Sequence, residues 1–129
     1  FSDTVLPPNS EDDFSGYEVD DELFTFLIVE AGVTNISTNK PLNITVSSPL
    51  YVPLVIDNVH DYYPIVDYLK NNESEFAYLG EIEPNNTVTA YYMYRIPKKY
   101  IESPDRLVLN FERLYEDYSL HYLTSFEIR

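Results

Sequence analysis

Cysteine is absent from the 129 residues, which excludes disulfides, thiolate metal sites and cysteine nucleophiles. Tryptophan is also absent, and glycine occurs only three times. No P-loop, G-x-G-x-x-G, H-E-x-x-H or G-x-S-x-G is present, so the common signatures of nucleotide binding and hydrolysis are missing. Basic residues are scarce, 8 against 22 acidic, leaving a formal net charge of −14. Such a surface repels phosphate backbones and anionic head groups, so nucleic acid is not an expected partner. No apolar run approaches the roughly 18 residues of a membrane span, and none is expected. The sequence contains no signal peptide and begins with Phe rather than Met, as a processed product or a cloned fragment would.

What is present is ordinary core material and many tyrosines. Hydrophobic residues make up 44% of the chain, enough for one packed domain. Tyr supplies 13 residues, and its ring suits both strands and half-wet surfaces. Four N-x-S/T sequons occur, at Asn35, Asn43, Asn72 and Asn85. Chance predicts about one for this content, so these are candidate glycosylation sites on an extracellular surface.

Beyond Glu22 the pattern is that of successive strands. In "ELFTFLIVEAGVTN", Leu27, Val29, Ala31 and Val33 share one face while Phe24, Phe26 and Ile28 share the other. Two apolar faces predict a strand that is central or covered on both sides. "TVTAYYMYRI" divides likewise, with Val88, Ala90, Tyr92, Tyr94 and Ile96 opposite Thr87, Thr89, Tyr91, Met93 and Arg95. "PLNITVSS" alternates cleanly, and Pro53 in "LYVPLVIDN" marks an edge or a bulge. "DYYPIVDYLK" reads as a short strand or one helical turn, and "FAYLGEI" as one strand. "RLVLNFERL" aligns Leu107, Leu109 and Phe111. The closing stretch aligns Tyr118, Leu120, Tyr122, Thr124, Phe126 and Ile128. Seven or eight short strands at spacings near ten residues predict an all-β antiparallel sandwich over residues 23–129.

Residues 1–22 form an acidic N-terminal arm. Fixing its backbone costs about 1–2 kcal/mol per residue, so it stays floppy unless something grips it. Its candidate anchors are Phe1, Val5, Leu6, Phe14, Tyr17 and Val19. It could lie along its own sandwich, bind ions, or add a strand to a neighbouring subunit. Asp12, Asp13, Asp20 and Asp21 are candidate calcium ligands, since hard cations need several oxygens. Their spacing is not that of an EF-hand, and a solvated acidic linker is the competing reading.

Other candidate chemistry is sparse. His60 lies in "DNVHDYY", which reads as a turn flanked by acids, and His121 falls on the polar face of the last strand; both read as structural or solvated. Carboxylates are too abundant for any pair to mark a glycosidase. Tyr62, Tyr63, Tyr68, Tyr91, Tyr92 and Tyr94 could form a sugar platform, though core packing is the stronger reading.

Three stretches suggest a family. Val33-Thr34-Asn35-Ile36-Ser37 ends a strand before a polar turn, Glu83-Pro84-Asn85-Asn86-Thr87 opens a later one, and Arg95-Ile96-Pro97-Lys98 closes it. This arrangement resembles the uncharacterised immunoglobulin-like domain of secreted bacterial and archaeal proteins, related to telokin-like and immunoprotective-antigen-like sandwiches. The resemblance covers about Leu23 to Ile128 and implies an immunoglobulin-like sandwich outside the cell, with no catalytic residues to carry over. The expected function is a non-catalytic structural subunit, assembling with copies of itself through the arm into a filament or coat. The alternative is a monomeric surface module binding carbohydrate, peptide or cation. No cofactor is expected, calcium being the one candidate ion.

Overall fold

A computed structural model describes residues 1–12, 15–44, 50–77, 80–114 and 120–129. In chain order the strands are β1 (Thr4–Val5), β2 (Tyr17–Glu18), β3 (Phe24–Thr34), β4 (Leu42–Ile44), β5 (Leu50–Tyr51), β6 (Leu54–Ile56) and β7 (His60–Tyr62). They continue with β8 (Ile65–Lys70), β9 (Glu75–Ala77), β10 (Gly80–Ile82), β11 (Thr87–Pro97), β12 (Leu107–Leu114) and β13 (Leu120–Glu127). A short 3₁₀ turn at Lys98–Tyr100 separates β11 from β12.

Two antiparallel sheets carry the body. One has the order β3-β11-β8-β9; the other has β13-β12-β6-β7, with β5 also paired to β12. β3 and β11 pair along their full length, from Phe24 opposite Pro97 to Thr34 opposite Thr87. Pro53, fully buried, interrupts what would be one strand and leaves β5 and β6 as separate pieces on β12. The "DYYPIVDYLK" segment is extended on both sides of Pro64, as β7 and β8, with no helical turn. Within "FAYLGEI", β9 pairs with β8 and β10 pairs with β4 in a separate two-stranded sheet, Tyr78 and Leu79 between them lying outside the described residues.

The main core lies between the two large sheets. Leu27 of β3, Tyr92, Tyr94 and Ile96 of β11, Leu54 and Ile56 of β6, and Leu107 and Leu109 of β12 are all buried there. The Tyr94 hydroxyl, itself fully buried, donates to the Val52 carbonyl at 2.7 Å and ties β11 to the facing sheet. Of the two faces the sequence divides, the one shared by Ala90, Tyr92, Tyr94 and Ile96 meets this core.

The opposite face of the β3-β11-β8-β9 sheet is also apolar, and the arm covers it. Val5, Phe26, Leu69, Tyr91 and Met93 form a second buried cluster, with Tyr17, Val19, Ile28 and Phe76 packed around it. β1 and β2 make a small hairpin, and Ser2 bridges to Phe26 on β3. The molecule therefore has three layers, which is why β3 is apolar on both faces although it is an edge strand.

Candidate functional site

The anticipated arm anchors act within the chain. Val5 is buried, Tyr17 and Val19 are half-buried against the sheet, and Leu6 is half-buried near Gly16. Phe1 is 49% exposed and anchors nothing comparable, and Phe14 lies outside the described residues. Polar contacts fix the arm as well. Lys98 donates to Asp3 at 2.7 Å, holding that carboxyl below the usual range. Asn9 reaches the β8–β9 turn, donating through its backbone N–H to Glu73 O and through Nδ2 to Asn72 O. Arm docking on a neighbour is therefore not needed to occupy these anchors: the offsetting contacts are made in cis.

Each described acidic arm residue among the calcium candidates has its own local partner. Asp12 accepts from the Ser15 hydroxyl, Asp20 pairs with Arg95 at 3.2 Å, and Asp21 accepts from the Leu23 N–H at 2.9 Å. Asp13 lies outside the described residues. Among the described residues no three metal-ligating side chains gather. Asp12, Asp20 and Asp21 each serve a separate local contact.

The four sequons differ in setting. Asn72 and Asn85 stand exposed in turns at positive φ, 58° and 63°. Asn43 has its backbone in β4, its side chain being outside what is described. Asn35 corrects the sequence reading, since it is only 6% exposed. Its Nδ2 donates to Lys40 O at 2.8 Å and to Ile82 O at 2.9 Å, and its Oδ1 accepts from Ser37 N–H. A glycan there would take one of the two Nδ2 hydrogens and break a donor bond inside a buried site, so Asn35 is a structural knot joining its loop to β10.

The tyrosines do not form one platform. Tyr92 and Tyr94 face the main core, Tyr91 faces the arm, Tyr62 and Tyr68 are partly buried, and Tyr63 is 60% exposed. Burial pushes the Tyr91 and Tyr92 phenols up to about 12, and that of Tyr94 up as well. These hydroxyls stay neutral hydrogen-bonding groups at physiological pH.

The concave feature of interest lies elsewhere, at the end of the sandwich where the β6–β7 turn meets the loop before β12. A cleft of about 310 Å³ opens there. Its apolar lining is Ile56, Val59, Tyr100 and Pro104, and its polar lining is Asp57, His60, Lys99, Ser103 and Asp105. The turn is shaped by Asp57 and Asn58, both at positive φ (53° and 60°), and closed by Val59 N–H on Ile56 O. Asn and Asp tolerate this left-handed region better than other side-chain-bearing residues. Asp57 N–H donates to Arg106 O at 2.8 Å, docking the turn on the opposite wall. That wall is pinned by Arg129, whose guanidinium donates to the carbonyls of Tyr100, Ile101 and Asp105.

The cleft offers two carboxylates as acceptors and an ammonium and an imidazole for recognition, beside an aromatic ring. It does not offer a nucleophile arrangement. The Ser103 hydroxyl donates to Asp105 at 2.5 Å, and among the described residues no hydrogen bond joins it to His60. Of these residues the sequence singled out only His60. Asp57, Lys99, Ser103 and Asp105 sit in two loops distant in sequence, and no local pattern marks them.

Comparison with known proteins addresses the architecture. No family model and no curated protein matches this sequence. Among solved structures, an uncharacterised β-sandwich protein from Clostridium difficile 630 is similar, with a TM-score of 0.73. This chain is an antiparallel β-sandwich. The alignment covers 99% of the present chain and 79% of the clostridial one at 18% identity, a level that speaks to fold alone. It includes the arm, so almost the whole length of the sandwich chain has a counterpart. Among the described residues no helix is long and apolar enough to cross a membrane.

Proposed function

We propose that the protein is a non-catalytic extracellular binding module, immunoglobulin-like in type, that takes a small polar ligand of the carbohydrate class in the cleft between the β6–β7 turn and the 100–105 loop. The observation that carries this reading is the convergence of Asp57, Asp105, Lys99 and His60 in one cleft beside the exposed Val59 and Pro104. Carboxylates and an ammonium satisfy sugar hydroxyls, the exposed Val59 and Pro104 offer apolar contact to the C–H face of the ring, and the volume lies at the lower end of the range typical of small-molecule sites. The two exposed sequons, at Asn72 and Asn85, support placement outside the cell. The test is an NMR titration of the labelled protein with a panel of monosaccharides and disaccharides. Saturable shifts at His60, Lys99 and Tyr100 are expected, with affinity weakened about tenfold or more by Asp105→Asn. A panel that leaves these resonances unmoved overturns the reading.

A second reading is the self-assembling subunit of a filament or coat. Its support is the linker between the arm and β3. Leu23 is 72% exposed and the Asp20 side chain 88% exposed, so the hairpin could swing at this point and make the same contacts on another copy. Light scattering of the full chain separates the two readings. Arm exchange yields oligomers that Val5→Asp abolishes, whereas the binding module has the same mass with and without that change.

A further inference from the structure

A carboxylate is sealed between the arm and the sheet it covers. Asp67 of β8 is buried, and one of its oxygens accepts from the Tyr17 hydroxyl of β2. Its other oxygen has no hydrogen-bond partner among the described residues. An ionised carboxylate in an apolar layer is costly unless a cation pairs with it. No described cation does so. Across β11 the register neighbour of Asp67 is Tyr91, a phenol that itself feels Glu30 of β3 and Glu73 of the β8–β9 turn. On the arm side β9 presents Phe76 and β1 presents Val5, while Glu18 of β2 is exposed. The basic residues bordering the arm and β8 are committed elsewhere, Lys98 to Asp3, Arg95 to Asp20 and Lys70 to Glu75. Among the described residues Tyr17 alone bonds Asp67, and it comes from the arm.

Outside the apolar cluster the arm is held lightly. β1 and β2 are two residues each. The Asp3–Lys98 and Asp20–Arg95 pairs have exposed side chains on both partners, and such pairs hold little. A hairpin fastened this way opens at lower cost than the eleven-residue pairing of β3 with β11.

We propose that the arm is a pH-operated cover: loss of the Asp67 proton loosens it and bares the apolar face of Phe26, Leu69, Tyr91 and Met93 beneath. With the arm docked and Asp67 protonated, the carboxyl is a neutral group bonded to Tyr17. Once ionised it is better served by water, which reaches it when the hairpin lifts. The direction follows from the two states. Lifted, Asp67 is solvated and titrates as an ordinary aspartate; docked, burial holds its proton to higher pH. Docking is therefore fully favoured below the ordinary value and weakens as pH rises through the docked one. Asp3 is held below the usual range beside Lys98, so that pair stays intact across the same window. The cover works within one chain and rests on neither functional reading.

The experiment is native-state amide exchange by NMR on the full chain, at pH values from about 4 to 8. Rates are expressed as protection factors, which removes the intrinsic pH dependence of exchange. Three amides report on the arm: Val19 bonded to Asp3 O, Asn9 bonded to Glu73 O and Phe26 bonded to Ser2 O. Their protection is expected to fall severalfold as pH rises, while amides of β11 paired with β3 keep theirs. Asp67→Asn, uncharged at every pH, flattens the fall. Tyr17→Phe deepens it, and carries the test if Asp67→Asn melts early. Arm protection indifferent to pH, a fall shared equally by β11, a native fall that persists in Asp67→Asn, or one that Tyr17→Phe leaves unchanged overturns the proposal.

Discussion

Replacing Tyr17 by Phe isolates one polar contact in the layer between arm and sheet. The Tyr17 hydroxyl donates to Asp67 Oδ2 at 2.5 Å. Asp67 is 2% exposed, and among the described residues its other oxygen, Oδ1, has no hydrogen-bond partner. Burial pushes the Asp67 pKa up, and the Tyr17 hydrogen bond partly restrains that rise. The Phe ring keeps its contact with Phe76, at 6.0 Å between centroids in the native pair, but strips the carboxylate of its donor. A hydrogen bond to a charged group is worth about 1.5–3 kcal/mol, so at neutral pH the variant should lose about that much. The sign with pH follows from the raised value. The folded state holds the Asp67 proton more tightly than the unfolded chain does. This group's contribution to stability is complete below the ordinary carboxylate pKa and is lost as pH rises through the folded one. In Tyr17→Phe the folded value moves higher still. At acid pH Asp67 is neutral in both proteins and only a neutral hydrogen bond is missing, a loss of about 0.5–1.5 kcal/mol. Urea denaturation at neutral and acid pH measures both penalties, and amide exchange at Val19, whose N–H bonds Asp3 O, reports on the arm itself. A penalty that is absent, or that does not grow with pH, refutes the account of Asp67 as a buried carboxylate leaning on the arm.

Tyr94→Phe leaves the Val52 carbonyl without its donor inside the core and should cost about 1–3 kcal/mol in chemical denaturation, with the fold unchanged by circular dichroism. Gly16→Ala should open the arm hairpin, because a Cβ there would lie 1.9 Å from Val5 O; hydrogen exchange across residues 1–22 should rise while β11 stays protected. Asn35→Ala removes three hydrogen bonds from a buried site and should cost about 3 kcal/mol, read as a lower melting temperature. Expressed in a glycosylating host, the native chain should carry glycans at Asn72 and Asn85 but not Asn35, checked by peptide mass spectrometry.

Alternation made the long strands legible. β3 and β11 declare both faces in sequence because each face meets a separate apolar layer, the facing sheet on one side and the arm on the other. What local pattern could not disclose depends on partners distant in the chain. The division of "FAYLGEI" between two sheets is decided by β4 and β8, not by its own residues. Asn35 has the signature of a glycan acceptor, but the carbonyls of Lys40 and Ile82 decide its role. Phe126 keeps the phase of an inward residue and is nonetheless exposed, since nothing described in the opposite sheet extends that far. The arm's anchors could be picked by eye, but whether they are satisfied in cis is a property of the face they meet. The cleft was invisible because each of its polar groups is an ordinary loop residue until Arg129 and the Asp57–Asn58 turn bring two loops together.

The long pairing of β3 with β11 carries a consequence for biogenesis. The nearest partners, Thr34 and Thr87, are 53 positions apart, and every other pair along the two strands is farther. Such non-local closure makes folding slow relative to helical proteins of the same size. While a nascent chain emerges, an eleven-residue strand apolar on both sides waits for its mate and is exposed to aggregation until β11 arrives. The dense negative charge of the leading segment would keep that waiting chain apart from its neighbours in the meantime.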